Sequence, residues 1–257
     1  MSDIGLLAAP FAAGLVVLAT HVPLGITVLR RGIIFIDLAV AQVAALGVIV
    51  AGLVHLDEHW GGFGTQLAAG IAALGAAALL TFCERRWPEI QEALIGLLFV
   101  FAAAAGILLL AGNPHGGEHL KDLLVGQILW VSPAQLLATA VLTALVLLAW
   151  RTLAARLGRF GFYALFALAV TASVQLVGVY LVFSSLIIPA LATRQLNGRA
   201  RLIAAYLLGA LAYAGGLAMS AFADLPSGAV IVLSMAVLGT LAATLSGRTK
   251  ATQDTPA

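Results

Sequence analysis

Charge is what this chain has least of. Of its 257 residues only 9% are Asp, Glu, Lys or Arg, against about 25% in an ordinary soluble domain, while 62% are hydrophobic. So few charges cannot clothe a globule of this size in polar surface, which excludes a soluble fold and points to a polytopic membrane protein. The formal net charge is +2, from 13 Lys and Arg against 11 Asp and Glu. That is too little, and too scattered, for a nucleic-acid binder, despite a pI of about 9.0. Cysteine is nearly missing too. Cys83 alone can form neither an intrachain disulfide nor a thiolate cluster, so any metal chemistry must use His, Asp and Glu. No string of the form GxxxxGKS or GxxxxGKT occurs, so nothing in the chain cradles nucleotide phosphates. The absence of a dense His, Asp and Glu constellation in the apolar runs argues against a membrane-embedded enzyme. No internal repeat stands out. The opening MSDIGLLAAP has neither a basic lead-in nor a cleavage region, so the first apolar segment is expected to be a retained span.

Long apolar runs are what the chain has instead. A hydrocarbon core about 30 Å thick takes about 20 helical residues, and on that ruler spans fall near 5–28, 33–54, 64–83, 93–111, 133–150, 163–191, 202–222 and 227–245. The expected fold is therefore all-α: a polytopic bundle of about eight spans, one domain over 1–247 and a short polar cytoplasmic tail at 248–257. Arg30 and Arg31, Arg85 and Arg86, Arg151, Arg156 and Arg159, Arg194, Arg199 and Arg201, and Arg248 with Lys250 occupy alternate connections if all are cytoplasmic. This predicts a multi-pass protein of the bacterial cytoplasmic membrane with its N-terminus outside and its C-terminus inside. The 163–191 segment has Arg clusters on both flanks yet is too short for two crossings, so it is expected to enter and return partway, with Gly178 and Pro189 as break points.

Ionisable residues within such spans are expensive and tend to mark pathways. Asp37 either faces a cavity or pairs with the nearby Arg31. His21, two residues before Pro23, either faces Asp37 as a second ligand or proton partner or binds a carbonyl freed by the proline. Glu92 opens the fourth span, as part of an ion pathway or as a helix cap. The remaining histidines form two i,i+4 pairs on the expected outer face, His55 with His59 and His115 with His119. That spacing presents two imidazoles to one ion on a helical turn, with Asp57, Glu58, Glu118 and Asp122 adding oxygens nearby. Solvated loops also collect such residues, so metal capture and plain solvation both remain open.

Five strings in order, VLRRGIIFIDLAVAQVAALGV, EALIGLLFVFAAAAGILLLA, LVGQILWVSP, VQLVGVYLVFSSLIIPALATRQL and DLPSGAVIVL, cover most of the chain. Together they resemble the membrane subunits of zinc, manganese and iron ABC importers, the ZnuB-like permeases. The resemblance implies a permease that dimerises with a second copy of itself, docks a cytoplasmic ATP-binding subunit that uses the ATP, and receives a divalent metal, zinc or manganese, from an extracytoplasmic binding protein. It implies no cofactor bound by this chain and no enzymatic activity. It also implies that PALATRQLNGRAR is the coupling element, with Arg194, Gln195, Arg199 and Arg201 as ATPase contacts. In one place the chain departs from the family pattern: Asp37 and Gln42 stand as Asp-x4-Gln where the family has Asp-x3-His. On a regular helix these two lie about 140° apart, and only a π-bulge would bring them onto one face. A proton-coupled secondary transporter using Asp37 and His21 is the rival reading.

Overall fold

The computed structural model describes residues 3–56, 62–111, 124, 126 and 128–253. Among them there is no strand, and eight helices are long and apolar enough to cross a membrane. In chain order the helices are α1 (Asp3–Arg31), α2 (Ile36–Leu53), α3 (Gly62–Arg86), α4 (Gln91–Leu110), α5 (Pro133–Thr152), α6 (Ala154–Val177), α7 (Val179–Ala192), α8 (Gly198–Ala223) and α9 (Ser227–Gln253). Single 3-10 turns at Pro88–Ile90 and Ile128–Trp130 precede α4 and α5. A capping box opens α5: Ser132 accepts the Gln135 amide, the Gln135 side chain accepts the Ser132 amide, and Pro133 costs nothing where no helical donor is needed. α9 continues to Gln253, so the polar segment expected as a tail from 248 begins as helix.

Pairwise contacts fix the direction of each helix. Gly14 lies against the Tyr213 ring and Gly209 against Leu18, so α1 and α8 run antiparallel. Phe35 meets Glu92 and Ile49 meets Gly106, so α2 and α4 run parallel. Glu84 is 3.8 Å from Arg159, and Gln66 shares a cavity with Gln175; α3 and α6 are antiparallel. The Trp150 and Phe162 rings, 5.8 Å apart, put the end of α5 at the start of α6. Small residues allow these approaches. A Cβ at Gly47 would lie 2.8 Å from the Ala68 carbonyl oxygen, and one at Gly25 would collide with the Leu186 carbonyl.

The broken segment is resolved into two unequal limbs. α6 contains a 20-residue stretch from Gly158, long enough to cross alone, while α7 has 14 residues. Arg31, at the end of α1, sits over Phe162 near the start of α6, and Gly25, six residues before that end, meets Leu186, six residues before the end of α7. The start of α6 and the end of α7 thus share one end of the bundle, and the chain reverses at Gly178, whose φ of +83° is open to glycine at little cost. The expected break at Pro189 does not occur, since α7 runs through it to Ala192. One lost hydrogen bond near a helix end is outweighed there by packing against α1, α8 and α9. The expectation of two partial crossings is corrected likewise: α6 starts before Tyr163, and only α7 is short.

At 1.5 Å per residue α7 covers about 21 Å of a core about 30 Å thick. The chain ahead of α5 makes up the difference. Gly126, at φ +70°, lies directly on the backbone of Val177 and Gly178, Ile128 is buried, and its 3-10 turn touches α1 and α9. Irregular backbone at this depth is thus enclosed by protein, as an apolar solvent requires.

Candidate functional site

Asp37 occupies the first turn of α2, where the helix dipole favours a carboxylate. It is 1% exposed, and neither of its oxygens has a side-chain partner; the donors beside it are the backbone amides of Asp37 and Leu38. Arg31 does not pair with it. The guanidinium instead lies 4.0 Å from the centre of the Phe162 ring. α2 is continuous α-helix from 36 to 53 without a π turn, so Asp37 and Gln42 occupy sectors about 140° apart. Both are buried because α3, α4, α6 and α7 all pack on α2.

His21 is fully buried. Its Nδ1 lies 2.8 Å from the Val17 carbonyl and 3.2 Å from Thr20 Oγ1, while Nε2 has no partner. It sits ten residues before the end of α1, about 15 Å along the axis, whereas Asp37 is the second residue of α2. The two helices do not form a packed pair, and no bond joins the two side chains. The carbonyl left without its donor by Pro23 is that of Ala19, and the Tyr206 hydroxyl of α8 donates to it at 3.1 Å. His21 uses a different carbonyl from the one anticipated.

Glu92 does act as a cap, but for another helix. The Phe35 amide at the N-cap of α2 donates to Glu92 Oε1 at 3.2 Å, and Glu92 Oε2 is buried without a partner. Glu92 thereby fixes the turn that carries Asp37. The same end of the bundle holds a polar cluster that sequence reasoning missed: Glu84 beside Arg159, and Gln91 donating to the Tyr163 hydroxyl. Next to Arg85 and Arg86, Glu84 reads in sequence as part of a topology marker; only the packing of α6 shows it turned inward.

At the opposite end a cavity of about 240 Å³ opens between α3, α5 and α6, lined in equal number by polar residues, Gln66, Gln135, Thr139 and Gln175, and by apolar ones, Leu142 and Leu176 among them. His55 follows α2 in a left-handed conformation, with φ of +53°. His59, His115 and His119 lie outside the described residues. Among the described residues no three His, Cys, Asp or Glu side chains group as a metal site. In the turn between α7 and α8, Arg194 and Arg199 are exposed and Gln195 is half-buried. Arg201 instead donates to the Ala190 carbonyl at 3.1 Å, tying the start of α8 to the end of α7.

The family pattern of ABC 3 transport matches residues 4–157 and 150–246, nearly the whole length of this bundle. The chain belongs to the ABC 3 transport family. As an ABC 3 permease it is 26% identical over 240 residues to the manganese transport system membrane protein MntC of Halalkalibacterium halodurans, covering 85% of this chain and 80% of that protein. Its fold is that of PsaBC from Streptococcus pneumoniae, solved in complex with a Fab, with a TM-score of 0.73 at 22% identity over 93% of this chain and 91% of that one. A second solved structure, assigned to the metal-chelate type of ABC transporter and held in an inward-facing conformation, aligns with a TM-score of 0.64 at 22% identity over 91% of this chain and 84% of that one.

Proposed function

We infer that this ABC 3 permease is the membrane subunit of an importer for a divalent metal ion, with manganese and zinc as the leading cargoes. The family match along the chain carries this reading, and the likeness to a manganese transport membrane protein supports the cargo class. Within the fold, Asp37 is the side chain best suited to meet a cation: a buried carboxyl group without a side-chain partner is ionised at membrane depth only when a cavity, a cation or a partner charge stabilises it. Gln42, about 140° around α2 from Asp37, and His21, at another depth, are separate polar points along the bundle. Their separation weakens a proton relay between His21 and Asp37, and with it the secondary-transporter reading.

ATP is supplied from outside the chain. Arg194 and Arg199 project from a tight turn, and Arg199 stands in the first turn of α8, where the helix dipole disfavours a cation. An acidic cleft on a cytoplasmic ATPase offsets that cost and makes this turn the docking point. The arginine-bearing end is then cytoplasmic, the N-terminus outside, and a second copy together with an extracytoplasmic metal-binding protein completes the transporter. Cellular zinc, manganese and iron uptake, measured in parallel with and without the gene, tests the reading. Loss of uptake for one or two of these metals is expected, and equal uptake of all three in both strains would refute it.

A further inference from the structure

Polar side chains gather at the far end of the bundle from Asp37, and the importer reading leaves them without a task. Gln66 of α3, Gln135 and Thr139 of α5 and Gln175 of α6 line one cleft of about 240 Å³. α3 and α5 each pack on α6 but not on one another, so α6 forms the floor and the cleft stands open between its walls. Gln66 and Gln135 are exposed, Gln175 is half-buried and Thr139 is buried. Turned toward lipid, these amides would have nothing to bond to. The cleft also adjoins the chain reversal between α6 and α7, since Leu176 in its wall is two residues from Gly178.

We infer that this cleft is an outer-sphere site for a divalent cation that still carries its water shell, the amide and hydroxyl oxygens of Gln66, Gln135, Thr139 and Gln175 accepting hydrogen bonds from the metal-bound waters. The inference rests on the importer reading. Among the described residues no charged side chain lines the cleft, so a bare cation would gain too little from these neutral groups to offset dehydration, and amide oxygens are poor inner ligands for zinc beside imidazole or carboxylate. Waters polarised by a divalent ion are strong donors and suit neutral acceptors. Six waters at about 30 Å³ each need roughly 180 Å³, which the cleft provides. The helix ends are consistent with a cation. α6 brings its negative end to the site, while the positive end of α5 is already taken up by the Ser132 and Gln135 capping box and Gln66 lies beyond the first turn of α3. Gln135 Oε1 accepts one bond from the Ser132 amide at 3.0 Å and retains a second lone pair. The ion would therefore be held hydrated at the mouth and meet a carboxylate only at the arginine-bearing end.

The test uses the complete transporter, with its ATPase and its metal-binding protein, in liposomes. The probe is cobalt(III) hexaammine, whose ligands do not exchange and which therefore imitates a hydrated ion unable to shed its shell. It should compete with manganese uptake. Gln66→Leu and Gln175→Leu should each raise the manganese KM about tenfold, as expected for losing hydrogen bonds to a charged group, and relieve hexaammine inhibition in the same proportion, while the maximal rate changes by less than about twofold. Gln175→Ala replaces either variant that does not fold. Manganese uptake that hexaammine leaves untouched, or inhibition that survives both substitutions, overturns the site while leaving the importer reading intact. If the wild type moves none of manganese, zinc and iron, the importer reading fails instead. The cleft is then decided on purified permease by whether hexaammine shifts the thermal unfolding midpoint in a manner that Gln175→Ala abolishes.

Discussion

At the scale of single residues, the side chains that matter are those whose polar atoms the fold leaves unsatisfied or satisfies from an unexpected direction. Asp37 is the first kind. Asp37→Asn keeps the volume and removes the charge, so the variant should insert and bind its ATPase yet lose most metal transport, because an amide is a weaker ligand for a hard cation than a carboxylate. Normal uptake by that variant would end the assignment of Asp37 as a ligand. Tyr206 is the second kind. Its hydroxyl serves the Ala19 carbonyl that Pro23 deprives of a donor, so Tyr206→Phe should destabilise the permease by about 1–3 kcal/mol, read as a lower unfolding midpoint in detergent. Combining it with Pro23→Ala, which returns a backbone donor to Ala19, should recover part of that loss; an additive decrease would contradict the account.

At the scale of elements, α7 is the hinge of the design, short and buried among α1, α6, α8 and α9. Its N-terminal end depends on Gly126, where a side chain would strike the Val177 backbone at a φ that side chains resist. Gly126→Val should therefore lower folded yield sharply, whereas Gly52→Ala, in open space, should leave it unchanged; comparable yields would mean that Gly126 does not wedge against the break. The C-terminal end leads into the turn proposed to dock the ATPase. Replacing both Arg194 and Arg199 with Glu should leave the protein inserted but abolish co-purification with the ATPase, since the new charges oppose an acidic cleft. Retained co-purification would remove the docking assignment. Arg201 belongs to the fold rather than to this test, because its guanidinium is committed to Ala190.

At the scale of the whole molecule, burial is uneven. α1 and α6 are well covered, whereas α4 and α5 bury little of themselves. α5 turns Gln135 and Thr139 toward the cleft and exposed Leu137, Val141, Leu145 and Leu148 to the roughly opposite side, an uncovered apolar face that a second copy of the chain would bury. Because Cys83 is the only cysteine and is buried, a single cysteine at Leu137 or Leu145 can be cross-linked without background. Dimers should form from those positions and not from Leu211 on α8. Equal cross-linking from all three sites would place the partner elsewhere.

Composition and periodicity by themselves determined the all-α membrane class, eight spans, and a broken segment near Gly178, because the length of an apolar run is set by bilayer thickness whatever its neighbours do. The string resemblance added the family. Only the tertiary structure decided which polar groups meet. Arg31 and Asp37 are six residues apart, yet packing sends the first to Phe162 and leaves the second alone; Asp37 and His21 lie on adjacent spans that do not pack together; Glu92 caps a helix 57 residues upstream. The physical reason is that spans insert according to their own hydrophobicity, while the partner of any side chain depends on close packing with helices distant in sequence. No local pattern encodes that Gln66, Gln135 and Gln175, drawn from three helices, share one cavity.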